Sequence, residues 1–203
     1  VNAYASNMHQ SNFKSEGGSL YAKYRFLSID KVKQHFRMAA YGKVSLINNP
    51  IQYNDINLSG DNSGYTAGIV ATQLLHKLAL SINTGYTKGL DNVNDQFKVG
   101  QATQAINYSL SVGYLLLPFV YKNYKQPNFN LYVELLGKTN PETGESYTDI
   151  APALQFIFNS RFRVDMVYRK QIQGNMYRIN EQALLLKMEY NRHDRAQSFL
   201  LYQ

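Results

Sequence analysis

Charged side chains at alternate positions are the residues of this chain whose spacing could support chemistry. Residues two apart share one face of a β-strand, so a pair such as Arg163 and Asp165 would project to the same side. Charges that line an enclosed wall can orient an ionic or dipolar solute in a constriction, and the formal net charge of +7 favours anions. The candidate residues for such a lumen-facing wall are Lys23, Arg25, Arg37, Lys43, Glu134, Lys138, Asp149, Arg163, Asp165, Arg169, Lys187 and Glu189.

The same residues have a structural alternative. The interior of a narrow barrel is filled by side chains, and charged groups held there must neutralise one another. The acidic candidates Glu134, Asp149 and Asp165 fall on consecutive predicted strands, and the basic candidates near the start of the chain fall elsewhere on the wall. Paired charges that plug the interior are the favoured interpretation for ten strands, whereas a wider lumen would favour a solute pathway.

Other kinds of site are not indicated. The chain has no Cys, which excludes disulfides and thiolate ligands or nucleophiles. Its 4 His residues have no metal-ligand spacing, and His35 and His76 fall at predicted turns, where solvated side chains are expected. There is no Gly-x-Ser-x-Gly elbow or phosphate-binding loop, and the basic residues are spread rather than clustered. We therefore predict no enzymatic activity, no metal, no cofactor and no nucleic-acid partner.

The elements that position these residues are predicted by a hydrophobic period of two, the pattern of β-strands. Between Leu78 and Tyr86, for example, apolar residues alternate with Ala, Ser, Asn and Gly, and the segment Tyr108–Tyr114 repeats the pattern. No segment has a helical period, and no run approaches the ~20 apolar residues of a membrane-spanning helix. The sequence predicts an all-β fold with about ten strands of about ten residues each.

These strands fit a transmembrane antiparallel up-and-down β-barrel better than a soluble sandwich or a lipocalin-like barrel. A length of about ten residues suits a bilayer crossing, whereas globular strands average ~5–6 residues. Aromatic residues such as Tyr24, Tyr86 and Tyr168 lie at the ends of the apolar faces, as interfacial girdles require. The opposite faces mix small neutral residues with both signs of charge, as a lumen does.

Long and short connections alternate along the chain, as in outer-membrane barrels with short periplasmic turns. Asn48–Gly64 and Gly89–Thr103 are long, whereas Asp30–Gln34 and Leu75–Lys77 are short. We predict one barrel domain over residues 1–192, with ten strands here and ten to twelve in the full protein. Residues 193–203 are predicted to be a periplasmic tail or a short extra strand. No signal peptide stands at Val1, and we expect that it has been removed.

Five segments between Gly64 and Tyr190 carry a resemblance to a known family. They are Ala71–Lys77, Leu80–Tyr86, Tyr108–Pro118, Tyr132–Gly137 and Ile150–Phe156. This region, about two-thirds of the chain, resembles the outer-membrane barrels of the meta-pathway phenol-degradation transporter family in their Bacteroidota form. The resemblance implies an outer-membrane location and a transport role, and it implies no catalytic residues.

Two functions are predicted for an integral outer-membrane protein of a Gram-negative bacterium. The first is a porin-like channel or transporter for small solutes, whose partner is membrane lipid. The second is a structural or accessory barrel with a plugged lumen, a subunit of a larger complex with other outer-membrane proteins. The size of the side chains on the inner face distinguishes the two functions. Tyr21, Tyr41 and Tyr132 favour a plugged lumen, whereas Ser81 and Ser109 leave one sector of the wall open.

Overall fold

The computed structural model describes residues 2–6, 14–120, 126–159 and 161–190, and it confirms the all-β prediction. The predicted tail at 193–203 lies outside the described residues, as does much of the segment Asn2–Asn12, a weaker strand candidate of the alternation. None of the described residues belongs to a helix long and apolar enough to cross a membrane. The strands are β1 (Asn2–Ser6), β2 (Lys14–Lys31), β3 (Gln34–Ile47), β4 (Ser63–Leu75), β5 (Leu78–Leu90), β6 (Gln104–Leu117), β7 (Asn128–Thr139), β8 (Ser146–Phe158), β9 (Phe162–Gly174) and β10 (Gln182–Tyr190).

The strands form one sheet in which each strand pairs with its neighbours in the chain. All the pairings are antiparallel, which confirms the up-and-down order. Among the described residues β1 does not pair with β10, so the sheet is open there and lacks the predicted closure into a barrel. The two edges offer little matched length for such a pairing, because β1 has 5 residues and β10 has 9.

Cross-strand register gathers the apolar residues on one face of the sheet. Ile82 on β5 is opposite Leu110 on β6, and on the other face Ser81 is opposite Ser111. No second layer of described residues covers the apolar face, so its side chains stay exposed, to 75% at Leu184. Exposed members of this face include Leu20, Val44, Ile69, Ile82, Leu110, Val112, Leu131, Val133, Leu154, Met166, Leu184, Leu186 and Met188.

A β-bulge changes the alternation in the last part of β2, beyond Lys23 and Arg25, whose predicted faces are unaffected. The register with β3 shifts between Arg25 and Leu27, which makes Phe26 the extra residue. One inserted residue reverses the alternation beyond it. Asp30 therefore lies on the polar face, opposite His35, and joins the charged residues of that face.

The short link predicted at Asp30–Gln34 is present, and it is tighter than predicted. β2 continues to Lys31 and β3 begins at Gln34, so Val32 and Lys33 alone form the turn. Lys33 has a φ of 59°, the left-handed conformation that tight hairpin turns use.

The connection between β3 and β4, residues 48–62, folds across the end of the sheet that carries the long connections; we call it the crossing loop. Lys43 on β3 donates a hydrogen bond of 2.8 Å to its Ser59, and Lys138 on β7 donates one of 2.8 Å to the carbonyl of its Ile56. Both lysines lie on the polar face, four strands apart. The sheet therefore curves with its polar face on the inside.

The small hydrophobic core lies beneath the crossing loop. Ile56 and Leu58 are 2% and 5% exposed and cluster with Ala105 at the start of β6. The loop continues toward the far strands, where the amide of Asn54 donates to the carbonyl of Tyr177 at 3.0 Å. The rings of Tyr53 and Tyr177 lie 5.6 Å apart. The crossing loop thus ties β3 and β4 to the connection between β9 and β10.

Candidate functional site

The twelve predicted wall residues share the polar face of the sheet. The cross-strand partners place them there, for example Lys23 opposite Tyr41, Glu134 opposite Ser111, and Lys187 opposite Asp165. Nine of them fall into three groups, which differ in how their charges are neutralised; Lys43 and Lys138 contact the crossing loop, and Glu134 belongs to none of the groups. The residues so placed are Lys23, Arg25, Arg37, Lys43, Glu134, Lys138, Asp149, Arg163, Asp165, Arg169, Lys187 and Glu189.

The first group surrounds Asp149 on β8. This carboxylate is 0% exposed and accepts a bond of 2.5 Å from Arg169. Arg178 donates two more bonds of 2.6 Å in a bidentate arrangement, the strongest form of guanidinium–carboxylate contact. Arg178 also donates to Gln171, and its guanidinium lies 4.1 Å from the centre of the Tyr147 ring. The group holds the β9–β10 connection against the wall.

Arg178 was missed by the sequence analysis. It lies between β9 and β10, where no periodicity assigns a side chain to a face. Its side chain is 3% exposed, and its partner Asp149 is fully buried. The one available signal was indirect, because a buried carboxylate needs a cation and Asp149 was already predicted to face inward.

The second group, on β9 and β10, consists of carboxylates that are also paired. Arg163 donates to Asp165 at 2.8 Å, and Gln155 adds a further bond of 2.8 Å to the same carboxylate. Lys187 and Glu189 lie 3.3 Å apart. Two of the four predicted acidic residues, Asp149 and Asp165, are therefore paired with arginines. The pairing of charges that the plugging interpretation requires is present in this sector.

At the end of the sheet that carries the long connections, residues of the crossing loop are the polar partners of Lys138 and Asn140. Lys138 is 9% exposed and forms an ion pair with Asp55. Asn140 is fully buried and donates to the carbonyl of Asn54 at 3.0 Å, while the Asn54 side chain donates to Glu145 at 2.7 Å. These contacts fix the crossing loop over the polar face of β7.

Two carboxyl groups in the long connections have shifted pKa values. Burial raises the pKa of Asp61, and a hydrogen bond of 2.7 Å from Asn57 opposes that change. The backbone N–H of Thr103 donates to Glu142 and lowers its pKa, and Gln104 donates to the same carboxylate at 2.6 Å. Glu142 thus links the connection after β7 to the residues that begin β6.

The third group, on β2 and β3, is basic. Asp30 accepts from Ser28 at 3.2 Å, contacts His35 Nδ1 at 2.6 Å, and lies 3.5 Å from Arg37. Within the described ranges Lys23 and Arg25 have no ion pair. His35 was predicted to be a solvated turn residue, and this is wrong, because the extended β3 places it beside Asp30 on the polar face.

A cavity of about 440 Å³ opens on this basic sector. Lys23, Arg25, His35 and Arg37 line one part of it, and Val70 and Leu74 on β4 line another. Toward the crossing loop lies Tyr41, which packs over Gly68 and Gly85 so closely that a Cβ at either glycine would collide with its hydroxyl. Of the described residues, no group of three His, Asp or Glu is placed to hold a metal ion.

Comparison with known proteins gave no match to any family model, curated protein or solved structure. The resemblance to a transporter family therefore stays a prediction. The candidate site remains defined by its geometry alone, as a polar concave wall with a neutralised sector and a basic cavity.

Proposed function

We propose that this sheet is the wall of an integral outer-membrane β-barrel whose edges are joined in the membrane. The apolar face would contact lipid, and the polar face would enclose a lumen that passes small solutes. One observation carries the proposal: large apolar side chains remain exposed on all the strands from β2 to β10. Soluble monomers expose patches of only ~300–600 Å².

Strand length supports the same proposal. The strands from β3 to β9 have 12 to 14 residues each, and β10 has 9. A tilted bilayer crossing needs ~9–11 residues, whereas globular strands most often have ~5–6. Aromatic side chains such as Tyr65, Tyr86, Tyr108 and Tyr168 remain exposed on the apolar face, where headgroup contact would suit them.

Passage of solutes is supported by the unequal filling of the polar face. Small residues on β5 and β6, including Ala79, Ser81, Ser109, Ser111 and Gly113, lie on the polar face. The bulk beside them comes from Tyr41 on β3 and Tyr132 on β7, which reach toward Gly85 and Gly113, respectively. The crossing loop would narrow the lumen at one end without occupying the basic cavity beside β3. A transport role is also what the family resemblance implies.

The absence of Cys makes a single-cysteine scan the direct test of the membrane wall. Leu110→Cys and Val112→Cys should resist a water-soluble maleimide in intact outer membranes and react with a lipid-soluble one. Ser109→Cys and Ser111→Cys, their neighbours on the other face, should show the opposite preference. Equal reaction of all four variants with the water-soluble reagent would exclude the proposed wall.

Planar-bilayer conductance tests passage through the lumen. The purified protein should give stable ionic current, and replacing the crossing-loop residues 50–59 by a short Gly/Ser linker should increase it. The control is a Gly/Ser linker of the original length that keeps Asn54, Asp55 and Ile56 at their native positions. This variant should give the same current as the native protein. No current from either the native protein or the shortened variant would exclude a channel.

A second function is favoured by the packing of the crossing loop and of the Asp149 group. Both fill the loop end of the polar face with neutralised, hydrogen-bonded side chains, as a plugged accessory barrel would. Such a subunit would span the membrane, give no current, and leave the membrane in mild detergent together with other outer-membrane proteins. The conductance measurement therefore distinguishes the two functions.

A further inference from the structure

The basic cavity between β2 and β4 has the composition of a ligand site, and we propose that it binds a small organic carboxylate with a hydrocarbon body. This inference deepens the proposed function and rests on it, because it names the class of solute that the lumen would take. Three features of the cavity carry it: unneutralised cations, a buried guanidinium N–H without a partner, and an apolar side.

The cations of the cavity exceed the anions that face them. Asp30 is the one carboxylate that contacts this group among the described residues, and it is already engaged by His35 at 2.6 Å and by Arg37 at 3.5 Å. Lys23 and Arg25 line the same cavity with no ion pair in the described part of the chain. This differs from the Asp149 group, where each of the two arginines forms an ion pair with the carboxylate. An anionic ligand would balance the excess.

The guanidinium of Arg37 has an unused donor. Its Nε is buried and has no hydrogen-bond partner among the described residues. Buried polar atoms are nearly always hydrogen-bonded, so an exception calls for a partner. A guanidinium presents its N–H groups as a planar fork that matches the two oxygens of a carboxylate. Because Arg37 lines the cavity together with Arg25, a carboxylate held there could reach both residues.

The apolar part of the cavity lining, which Thr72 interrupts, favours a ligand with a hydrocarbon body over a bare inorganic anion. Ala39, Val70 and Leu74 lie on the polar face of the sheet and line the cavity with carbon atoms. Contact with an alkyl or aryl group would remove this surface from water, whereas a hydrated phosphate would not. The volume of about 440 Å³ is in the range of small-ligand pockets. The geometry therefore favours a carboxylate carrying several carbon atoms.

Equilibrium dialysis with radiolabelled hexanoate tests this site, using the full chain in zwitterionic micelles with empty micelles as the blank. Hexanoate should bind saturably. Hexanamide, which has the same shape without the charge, and inorganic phosphate, which lacks the hydrocarbon, should each compete at least about tenfold more weakly. No saturable binding, or equal competition by hexanamide, would overturn the proposal. Equal competition by phosphate would overturn the hydrocarbon part of it.

The decisive variant is the double substitution Lys23→Gln with Arg25→Gln, since neither residue has an ion pair to lose among those described. It should weaken hexanoate binding at least about tenfold. Lys98→Gln with Lys170→Gln removes the same charge from exposed positions away from the cavity and should bind as the native protein does. Equal weakening in both double variants would mean that net charge alone attracts the anion, which would overturn a defined site.

Arg37→Gln provides an independent readout, because it removes the unpartnered Nε. Hexanoate binding should fall, and Arg37→Lys should fail to restore it, since an ammonium lacks the planar fork. Circular dichroism should show that each variant retains the β-sheet. If a variant loses hexanoate binding but keeps its conductance and its maleimide protection, the defect lies in this site alone. If Leu110→Cys and Ser111→Cys do not differ in labelling, the proposed membrane wall fails instead.

Discussion

Arg178 neutralises a carboxylate that solvent does not reach, and its removal should therefore destabilise the protein. Arg178→Gln eliminates two hydrogen bonds of 2.6 Å and leaves Asp149, which is 0% exposed, with Arg169 as its remaining cation. Breaking a buried ion pair by removing one partner costs ~3–5 kcal/mol. Because Arg169 remains, we expect a loss near the lower limit, about 3 kcal/mol, in urea unfolding.

Lys187 and Glu189 supply the matched control. Their charged atoms lie 3.3 Å apart, but the Lys187 side chain is 63% exposed. An exposed pair contributes at most ~1 kcal/mol, so Lys187→Gln should have a small effect. Losses of the same size in Lys187→Gln and Arg178→Gln would contradict the role of burial in the Asp149 group.

At the residue scale, the sequence predicts faces better than partners. The period of two assigned Asp149, Arg169 and Asp165 to one face, and the cross-strand register places them there. The partners that Asp149 and Lys138 find in the connections, Arg178 and Asp55 respectively, were not predicted, because a connection has no period that fixes the direction of a side chain. Which charges pair therefore depends on how the connections fold over the sheet.

Tyr108 on β6 and Gly137 on β7 are cross-strand partners, and the ring of Tyr108 lies over Gly137. A Cβ at Gly137 would overlap the ring of Tyr108, so Gly137→Ala forces that ring to move. The atoms met are the outer end of a ring that is 42% exposed and can turn aside, so we expect a loss of about 1 kcal/mol in urea unfolding, the lower end of the ~1–3 kcal/mol that overpacking costs. Gly42→Ala on β3 is the control, because the nearest atom to its Cβ is 3.8 Å away, and it should be close to neutral.

A double-mutant cycle identifies the cause of that loss. Combining Tyr108→Ala with Gly137→Ala removes the ring that the new methyl group would meet. The double variant should therefore lose less than the sum of the two single variants. Strictly additive losses would show that the Gly137 backbone, rather than its contact with Tyr108, determines the effect.

Glu142 gives the connections a pH dependence of known sign. The N–H of Thr103 lowers the pKa of Glu142 in the folded protein. A group with a lowered folded pKa contributes stability above its unfolded pKa and loses it as pH falls through the folded pKa. The difference in urea midpoint between the native protein and Glu142→Gln should thus be constant above about pH 5 and shrink toward about pH 3. Taking the difference cancels the other carboxylates, and a constant gap throughout would contradict the assignment.

Among the elements, strand positions were predicted and one change of face was not. β5 and β6 follow an unbroken alternation and pair without a shift. In β2 the predicted alternation ended at Phe26, although the adjacent apolar residues Phe26 and Leu27 mark the change of phase that the bulge produces. Closure of the sheet is a second feature that the sequence does not predict. The alternation assigns faces within each strand, but it does not say whether the first strand pairs with the last.

The two faces of the whole molecule are reversed relative to a soluble sheet packed against a second layer. In such a fold, the apolar face is covered and the polar face meets water. Here, over the described residues, the apolar face is uncovered and the polar face lies inside the curve beneath the crossing loop. A lipid environment would stabilise this arrangement of faces. A charge placed on the apolar face is therefore the substitution that best tests whether that face contacts lipid.

Leu110→Arg and Ser111→Arg are adjacent substitutions near the middle of β6 that lie on the apolar and the polar face, respectively. Leu110 is 47% exposed, so in water an arginine there should change stability by less than ~0.5 kcal/mol, whereas at a bilayer midplane it costs ~2–4 kcal/mol. We expect the larger loss for Leu110→Arg and a much smaller one for Ser111→Arg. Tyrosine fluorescence can follow urea unfolding in lipid vesicles, since the chain has 17 Tyr and no Trp. Equally small losses would mean that the apolar face does not contact lipid, and the reverse order would mean that the polar face does.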